Sequence, residues 1–431
     1  MAKTVYIRTF GCQMNVHDSE KILGVLDAEG YKATNDPLTA ELIILNTCSI
    51  RQKAEQKFYS ELGRFRALKK KKPGVRIAIA GCIAQQEGMK ITRRAPYVDF
   101  VFGPQNVHLL RNFLRENGHR IATEDNPDIA LHELPVIRND RIKAWVTIMY
   151  GCNNFCSYCV VPYTRGRERS RPVHAILKEA AGLAESGCRE ITLLGQNVNS
   201  YRSHLDFPGL LREIDKIEGI ERIRFVTSHP KDLSDALVDA IAELPKVCEH
   251  IHLPLQSGSD IVLNRMNRGY TYKEYREKVE KLRKKVPAIA ITSDIIAGFP
   301  GETVKDHINT VNALHEMEYD GIFAFSFSPR PDTGAAEMDD SLPQHIKSSR
   351  LSEILAVQEK ITARKNKSLE GTRQEILVEG KSRAGGKQIS GRTRTNKIVT
   401  VETSGCTDGT FMTVEIIRAR QHSLEGKTLK E

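Results

Sequence analysis

Six of the nine cysteines in this 431-residue chain fall into two sets of three, each spaced in a way that suits an inorganic cluster. Cys152, Cys156 and Cys159 make a C-x3-C-x2-C pattern inside YGCNNFCSYCVVPYTRGRERSR, directly after a strand expected over Trp145 to Met149. Three thiolates can meet one cubane. A [4Fe-4S] cluster ordinarily takes four cysteines, so three leave one iron open to bind something else. Structural zinc wants four closed ligands and the ferredoxin pattern also supplies four cysteines, and neither set is completed nearby. A zinc site or a closed electron-transfer cluster is the competing reading. Phe155 and Tyr158, inside the loop, are expected to pack over the cluster.

Cys12, Cys48 and Cys82 are dispersed, yet each stands just past an apolar run: VYIRTFGC, LIILNTC and IAIAGC. In an open parallel sheet the carboxyl ends of the strands share one edge, so three such thiols can converge on a second cluster, again with one iron open. The alternative is three small buried thiols at strand ends. Cys188, Cys248 and Cys406 have no partner at a ligand spacing and are read as structural. An odd number of cysteines in a long chain argues against a disulfide framework.

The elements that must position these thiols follow from hydrophobic rhythm. Val5 to Arg8, a helix over Asp18 to Glu29, Leu42 to Leu45, a polar helix from about Arg51, Arg76 to Ala80 and Val98 to Phe102 alternate as an α/β unit with an open parallel sheet, ending near residue 135. From Trp145 a second series has strands over Trp145 to Met149, Glu190 to Leu194, Arg222 to Thr227, His250 to Leu255, Ala290 to Ala297 and Gly321 to Ser326, which suits a partial TIM-like (β/α) barrel with its chemistry at the mouth. A helical pattern over Leu342 to Leu369 stops before Gly371. The tail then turns β-rich, with runs such as Glu375 to Val378 and Phe411 to Ile417. Three domains are expected: 1–135, 136–370 and 371–431.

At the strand ends Gln196, Asn197, Ser228, Gln256, Ser257 and Asp294 are candidates for gripping a cofactor, although Ser, Asn and Asp also cap helices. His229 and His252 read as satisfied barrel histidines. Arg165, Arg167, Arg169 and Arg171 either grip RNA phosphate or form a salt-bridged strand, with Glu168 the only acid close in sequence. Lys69 to Lys72 read as a solvated helix end. The formal charge of +10 favours a polyanionic partner. Residues 371–431 carry eleven Lys or Arg against seven Asp or Glu, and six of the basic residues (Lys381, Arg383, Lys387, Arg392, Arg394, Lys397) occur without an intervening acid. No apolar run approaches the ~20 residues of a membrane span, and the start lacks a secretory h-region, so a cytoplasmic location is expected.

Taken together, TFGCQMN at Thr9 to Asn15, NTCSIR at Asn46 to Arg51, AGC at Ala80 to Cys82 and the segment from Tyr150 to Arg171 resemble the radical S-adenosylmethionine methylthiotransferases, over the whole chain. The resemblance implies an auxiliary [4Fe-4S] cluster on Cys12, Cys48 and Cys82 in an N-terminal domain. It implies a second [4Fe-4S] cluster on Cys152, Cys156 and Cys159 that chelates S-adenosylmethionine and cleaves it to a 5′-deoxyadenosyl radical, and a C-terminal TRAM domain that binds the substrate. All six cysteines are thereby catalytic residues as well as metal ligands. The run from Gly298 to Glu302 looks like a family glycine motif that lets backbone approach the adenine. TFGCQMN and CVVPYTRGRERSR look like the branch that methylthiolates N6-isopentenyladenosine beside the anticodon of tRNA. The branch acting on threonylcarbamoyl-adenosine usually reads GCKVN, and the ribosomal-protein branch tends to a Lys after the first cysteine and an acidic TRAM domain; here Gln13 follows Cys12 and the tail is basic. The expected partners are a tRNA anticodon stem-loop, an external electron donor and a sulfur donor, with a monomeric chain and no membrane. The rivals are those two sister branches and, in another class, a non-catalytic iron-sulfur RNA-binding sensor, which gains little from two open irons.

Overall fold

The computed structural model describes residues 3–49, 52–116, 118–138, 140–382, 388–403, 405 and 407–429. Arg51, Arg383, Lys387 and Cys406 lie outside the described residues. Strands β1 (Lys3–Thr9), β2 (Tyr31–Ala33), β3 (Leu42–Thr47), β4 (Arg76–Gly81), β5 (Phe100–Phe102) and β6 (Arg120–Ala122) form one parallel sheet in the order β2-β1-β3-β4-β5-β6. β3 is buried along its whole length, as a strand covered by helices on both faces must be. Its alternate side chains divide between two cores, Leu42 and Ile44 in one and Ile43 and Leu45 in the other. The chain leaves β1 toward β2 and returns on the other side to β3. Cys12 and Cys48 therefore flank the point where strand order reverses, the usual ligand crevice of such sheets. The first helix starts at Gln13, earlier than its apolar rhythm suggests, because Cys12 itself holds the extended N-cap position. Of the lysine run that ends the helix Gln52–Lys71, Lys70 and Lys71 are exposed, as expected of a solvated helix end, whereas Lys69 pairs with Asp99 at 2.5 Å and Lys72 donates to the Ala40 carbonyl.

The central unit has β7 (Lys143–Thr147), a short antiparallel pair β8 (Met149–Tyr150) and β9 (Arg169–Ser170), then β10 (Glu190–Leu194), β11 (Arg222–Phe225), β12 (His250–His252), β13 (Ala290–Ala297) and β14 (Gly321–Ser326). Hydrogen bonding groups these as two parallel sheets, β11-β10-β7 and β12-β13-β14. The seam between β11 and β12 carries only the isolated parallel bridge of Ile223 with Val247 and, nearer the mouth, a long bond from Ser228 N to the His252 carbonyl at 3.4 Å, and among the described residues no strand pairing joins β7 to β14. The barrel is thus incomplete. Helices over Tyr272–Lys285 and Val304–Met317 begin in capping boxes, Thr271 with Glu274 and Thr303 with Asp306, each satisfying two orphan backbone donors.

After a helix over Gln344–Lys367, strands β15 (Arg373–Lys381), β16 (Gln388–Thr393), β17 (Ile398–Glu402), β18 (Phe411–Ala419) and β19 (Leu424–Thr428) close a small barrel in the order β15-β16-β17-β19-β18. It docks on the amino ends of the central strands, opposite the mouth. Buried Arg222, at the start of β11, meets Glu375 at 2.9 Å and the Arg392 carbonyl at 2.7 Å. Arg224 donates to the Thr393 and Arg394 carbonyls, Arg394 forks onto Glu249, and Lys397 lies 3.3 Å from Asp320. Arg394 and Lys397 therefore serve the domain interface, and the Arg392 guanidinium pairs with Glu379 at 3.1 Å inside the small barrel, so these three members of the basic run find acids brought in by the fold. Among the described residues no helix is long and apolar enough to cross a membrane.

Candidate active site between two thiol triads

Cys12, Cys48 and Cys82 come together at the carboxyl edge of the N-terminal sheet. Gly11 makes this possible. Its φ of +126° belongs to the left-handed region that favours glycine, and a Cβ there would lie 2.3 Å from Cys48 Cβ and 3.1 Å from Cys48 Sγ. A hydrogen bond with Cys48, followed by the Arg165 charge, outweighs burial and holds the Cys12 thiol down to about 6, while burial raises Cys82. Beneath them Asn15 and Asn46 lock β1, β3 and the first helix through buried hydrogen bonds. Ser49 Oγ, beside Cys48, is buried with no partner among the described residues.

Cys152, Cys156 and Cys159 lie in the loop between β8 and β9, at the mouth of the barrel. Burial pushes Cys152 up to about 11 and Cys159 to about 12, each raised further by the nearness of Cys156. The loop is stitched to the turn after the helix Asp260–Arg265: Ser157 N donates to the Met266 carbonyl at 3.0 Å, Ser157 Oγ to the Arg265 carbonyl at 2.8 Å, and Asn267 Nδ2 to the Phe155 carbonyl at 3.0 Å. Phe155, itself at φ +47°, is capped by the Arg167 guanidinium 4.2 Å from its ring. Tyr158 accepts from Arg268, which also donates to Cys156 Sγ at 3.2 Å. Among the described residues no three His, Cys, Asp or Glu side chains close on a single ion. A cubane asks for something different, because each thiolate binds its own iron and the sulfurs stand farther apart than ligands sharing one ion.

Of the four arginines read as either gripping RNA phosphate or salt-bridged, Arg167 is exposed over the Phe155 ring and the other three are paired within the protein. Arg165 is buried against Asp18 at 2.7 Å and its charge acts on Cys12 and Cys82; Arg169 pairs with Asp125, and Arg171 with Glu179 at 2.7 Å. Their acids lie up to 147 residues away in sequence. Arg165 leaves the radical loop and ends at the other triad, so the two thiol sets share one interface, which Lys21 also crosses to reach Tyr150 and Thr147.

Of the strand-end candidates, three, one after each of β10, β11 and β12, present buried oxygens with no partner among the described residues: Gln196 Oε1, Ser228 Oγ and Gln256 Oε1. Gln256, at φ +75°, and Thr227, at φ +69°, hold strained backbone beside them. Such strain and unmet hydrogen-bonding capacity fit a polar bound group with amino, carboxylate and ribose functions. His229 joins them, against its reading as satisfied. Its Nδ1 accepts from Lys231 N, burial holds the ring neutral with its pKa pushed down to about 2, and Nε2 has no partner. Asp294 faces the lumen 3.5 Å from His252. The remaining candidates have internal partners. Asn197 bonds Asp232 and His229, and Ser257 bonds Thr310. Glu302 accepts from Gly298 N and from Arg350, and the space that a Cβ on Gly298 would take is filled by Lys347 Cγ, so the close approach seen at this glycine is to a lysine stem.

Two residues the sequence reading passed over stand at the centre. On β14, Ile322 and Ala324 pack outward on the main core, so Phe323 and Phe325 face the lumen, 56% and 39% exposed. Phe323 is paired with Asp294 in register and meets the His252 ring edge-on at 5.9 Å. The alternation in GIFAFS was the available signal.

This fold and these thiol sets define a radical S-adenosylmethionine enzyme that carries an N-terminal sheet domain and a C-terminal TRAM barrel. Residues 4–103 match the uncharacterized protein family UPF0004, residues 146–314 the radical SAM superfamily and residues 367–429 the TRAM domain. The chain is 55% identical over 98% of both chains to the tRNA-2-methylthio-N(6)-dimethylallyladenosine synthase of Thermodesulfovibrio yellowstonii, and 45% identical over 98% of this chain and 96% of the relative to the enzyme of that name from Clostridium botulinum. It belongs to the tRNA-2-methylthio-N(6)-dimethylallyladenosine synthase family. Among solved structures, the radical S-adenosylmethionine methyltransferase TsrM from Kitasatospora setae, with cobalamin and a [4Fe-4S] cluster bound, aligns with a TM-score of 0.57 at 14% identity over 78% of this chain and 77% of that one. That likeness concerns fold alone. The family's cofactors are S-adenosylmethionine and [4Fe-4S] clusters.

Proposed function

We propose that this enzyme converts N6-isopentenyladenosine, on the 3′ side of the anticodon in tRNA, to its 2-methylthio derivative. The observation that carries the reading is the pair of thiol triads brought to one interface, beside a lumen walled by Phe323 and Phe325. When bound, the clusters and S-adenosylmethionine supply the radical and the methylthio group. The protein's own residues do the rest. Cys152, Cys156 and Cys159 hold one cluster at the barrel mouth, and Cys12, Cys48 and Cys82 hold the other. Gln196, Ser228, Gln256 and His229 offer unmet hydrogen-bonding groups to the cofactor, and Asp294 is available at the same opening. Phe323 gives the base a face to stack on, as readers of unpaired RNA commonly do, and Phe325 extends an apolar wall toward the isopentenyl group.

The TRAM barrel contributes an RNA surface on its free sides, where Lys360, Lys367, Arg418 and Arg420 outnumber Glu359 and Glu370 along a groove of ≈ 650 Å³ against the preceding helix. An electron donor and a sulfur donor come from outside the chain, which works as a monomer in the cytoplasm. Anticodon stem-loops with and without the isopentenyl group, offered anaerobically to the reconstituted enzyme and digested for nucleoside mass spectrometry, test the proposal. Methylthiolation confined to, or far faster on, the prenylated loop is the expected result. Equal rates, or a preference for a threonylcarbamoyl-adenosine loop or a ribosomal-protein peptide, would refute it.

A further inference from the structure

Six arginines of the described residues are buried, and five of them have a carboxylate within hydrogen-bonding reach: Arg165 with Asp18, Arg171 with Glu179, Arg222 with Glu375, Arg224 with Glu190 and Arg350 with Glu302, at 2.6 to 2.9 Å. Arg268 is the exception. It is 4% exposed, and among the described residues no carboxylate pairs with it. Its Nε donates to Tyr270 Oη at 2.9 Å, Nη2 to the Pro254 carbonyl at 2.9 Å, and Nη1 to Tyr158 Oη and to Cys156 Sγ, both at 3.2 Å. Both phenols are neutral partners, since a tyrosine hydroxyl ordinarily loses its proton only near pH ~10. A guanidinium taken out of water without an anion is strongly unfavourable. Among the described residues in contact with Arg268, the thiol triad is the source of negative charge, since three thiolates on a cubane leave a net anion.

We propose that Arg268 is the counter-cation of the cluster held by Cys152, Cys156 and Cys159, a positioning residue that fixes the Cys156 sulfur and makes the cluster easier to reduce. A positive charge and an N–H···S bond both favour the more negative, reduced form, and a site shielded from water amplifies the effect. The same turn grips the cysteine loop through Met266 and Asn267, so the charge is held at a fixed distance. The inference rests on assigning these three cysteines as ligands.

The test uses full-length enzyme in which Cys12, Cys48 and Cys82 are Ala, leaving one cluster, with Arg268 intact or changed by Arg268→Gln or Arg268→Lys. Iron is counted, and a reductive titration is followed by electron paramagnetic resonance. Arg268→Gln should lower the midpoint potential by about 59 mV or more, a tenfold loss of reduced cluster at fixed potential for a one-electron couple. Arg268→Lys should recover more than half of that. Should Gln fail to retain iron while Lys retains it, a charge is required for assembly and the proposal also stands. An unchanged midpoint in a fully loaded Gln variant, a Lys variant no better than Gln, or loss of iron from both would overturn it. Missing iron with Arg268 intact would instead bring down the ligand assignment, and the proposal with it.

Discussion

Cys152, Cys156 and Cys159 sit within eight consecutive residues of one loop, whereas Cys12, Cys48 and Cys82 are drawn from the ends of three strands spread over seventy-one. The loop triad depends on local chain shape, the positive φ of Phe155 and the stitching of the loop to the 265–268 turn. The sheet triad depends on strand register across a buried sheet and on one glycine that lets two neighbouring thiols meet. Each is accompanied by a buried arginine from elsewhere in the chain. At the sheet triad that charge is offset by Asp18; at the loop triad no carboxylate among the described residues pairs with Arg268. Two thiol triads are thereby placed in different electrostatic surroundings, and the one proposed to hold the electron-accepting cluster has the unbalanced cation.

The largest effect should come from separating the triads. Cys156→Ala should abolish 5′-deoxyadenosine release and methylthiolation alike, whereas Cys48→Ala should abolish methylthiolation and leave cleavage running; chromatography of both products decides. Loss of cleavage in the Cys48 variant would mean that the triads are not independent. Next, Gly11→Ala should reduce iron from about eight atoms per chain to about four, because the added carbon occupies the Cys48 position, and retention of all eight would show that the sheet can yield. Phe323→Ala should raise KM for the prenylated stem-loop about tenfold, the ~1 to 3 kcal/mol of one base–aromatic contact, and narrow the preference over the unprenylated loop. An unaltered preference would remove Phe323 from the substrate wall.

Asp18→Asn leaves the Arg165 charge unbalanced and should raise the midpoint of the auxiliary cluster, by up to about tenfold in the reduced-to-oxidised ratio. A fall would reverse the electrostatic contrast drawn between the sites. The smallest effect is expected far from both triads. Burial, reinforced by Arg224, pushes the His250 imidazole down to about 3. A group whose folded pKa is depressed below its unfolded value takes up a proton on unfolding, so its contribution to stability is present above about 6.5 and is lost as pH falls from there toward 3. His250→Asn should flatten the acid limb of unfolding by about one proton and leave cleavage untouched. A slope equal to that of the unsubstituted enzyme would contradict the buried neutral ring.

The parallel sheet, the six-stranded partial barrel, the β-rich tail and both cysteine sets were legible because each rests on a local signal: LIILNT has no polar break until Asn46, the cysteine loop is contiguous, and each dispersed thiol stands just past an apolar run. Pairings over long separations were not. Nothing near Arg165 announces Asp18, 147 positions earlier, and Arg268 in MNRGY has the appearance of any turn arginine. The basic run from Lys381 to Lys397 reads as an RNA surface until Glu249 and Asp320 are seen to meet its second half. Polar strand ends show where a ligand can bind but not which side chain is left unsatisfied: Asn197 and Gln196 are adjacent, and only folding separates the engaged one from the free one.

The clamp that seats the TRAM barrel on the amino ends of the central strands also acts as a caliper. The barrel mouth and the tail stand apart by at least the length of β13, eight residues or ~26 Å at ~3.3 Å per residue. The arginine and lysine bridges of Arg222, Arg224, Arg394 and Lys397 prevent the tail from swinging to shorten that gap. An RNA gripped by both must therefore be stiff and long enough to reach around the barrel's flank, as a base-paired stem is. A free nucleoside or a loop without its stem touches one jaw only.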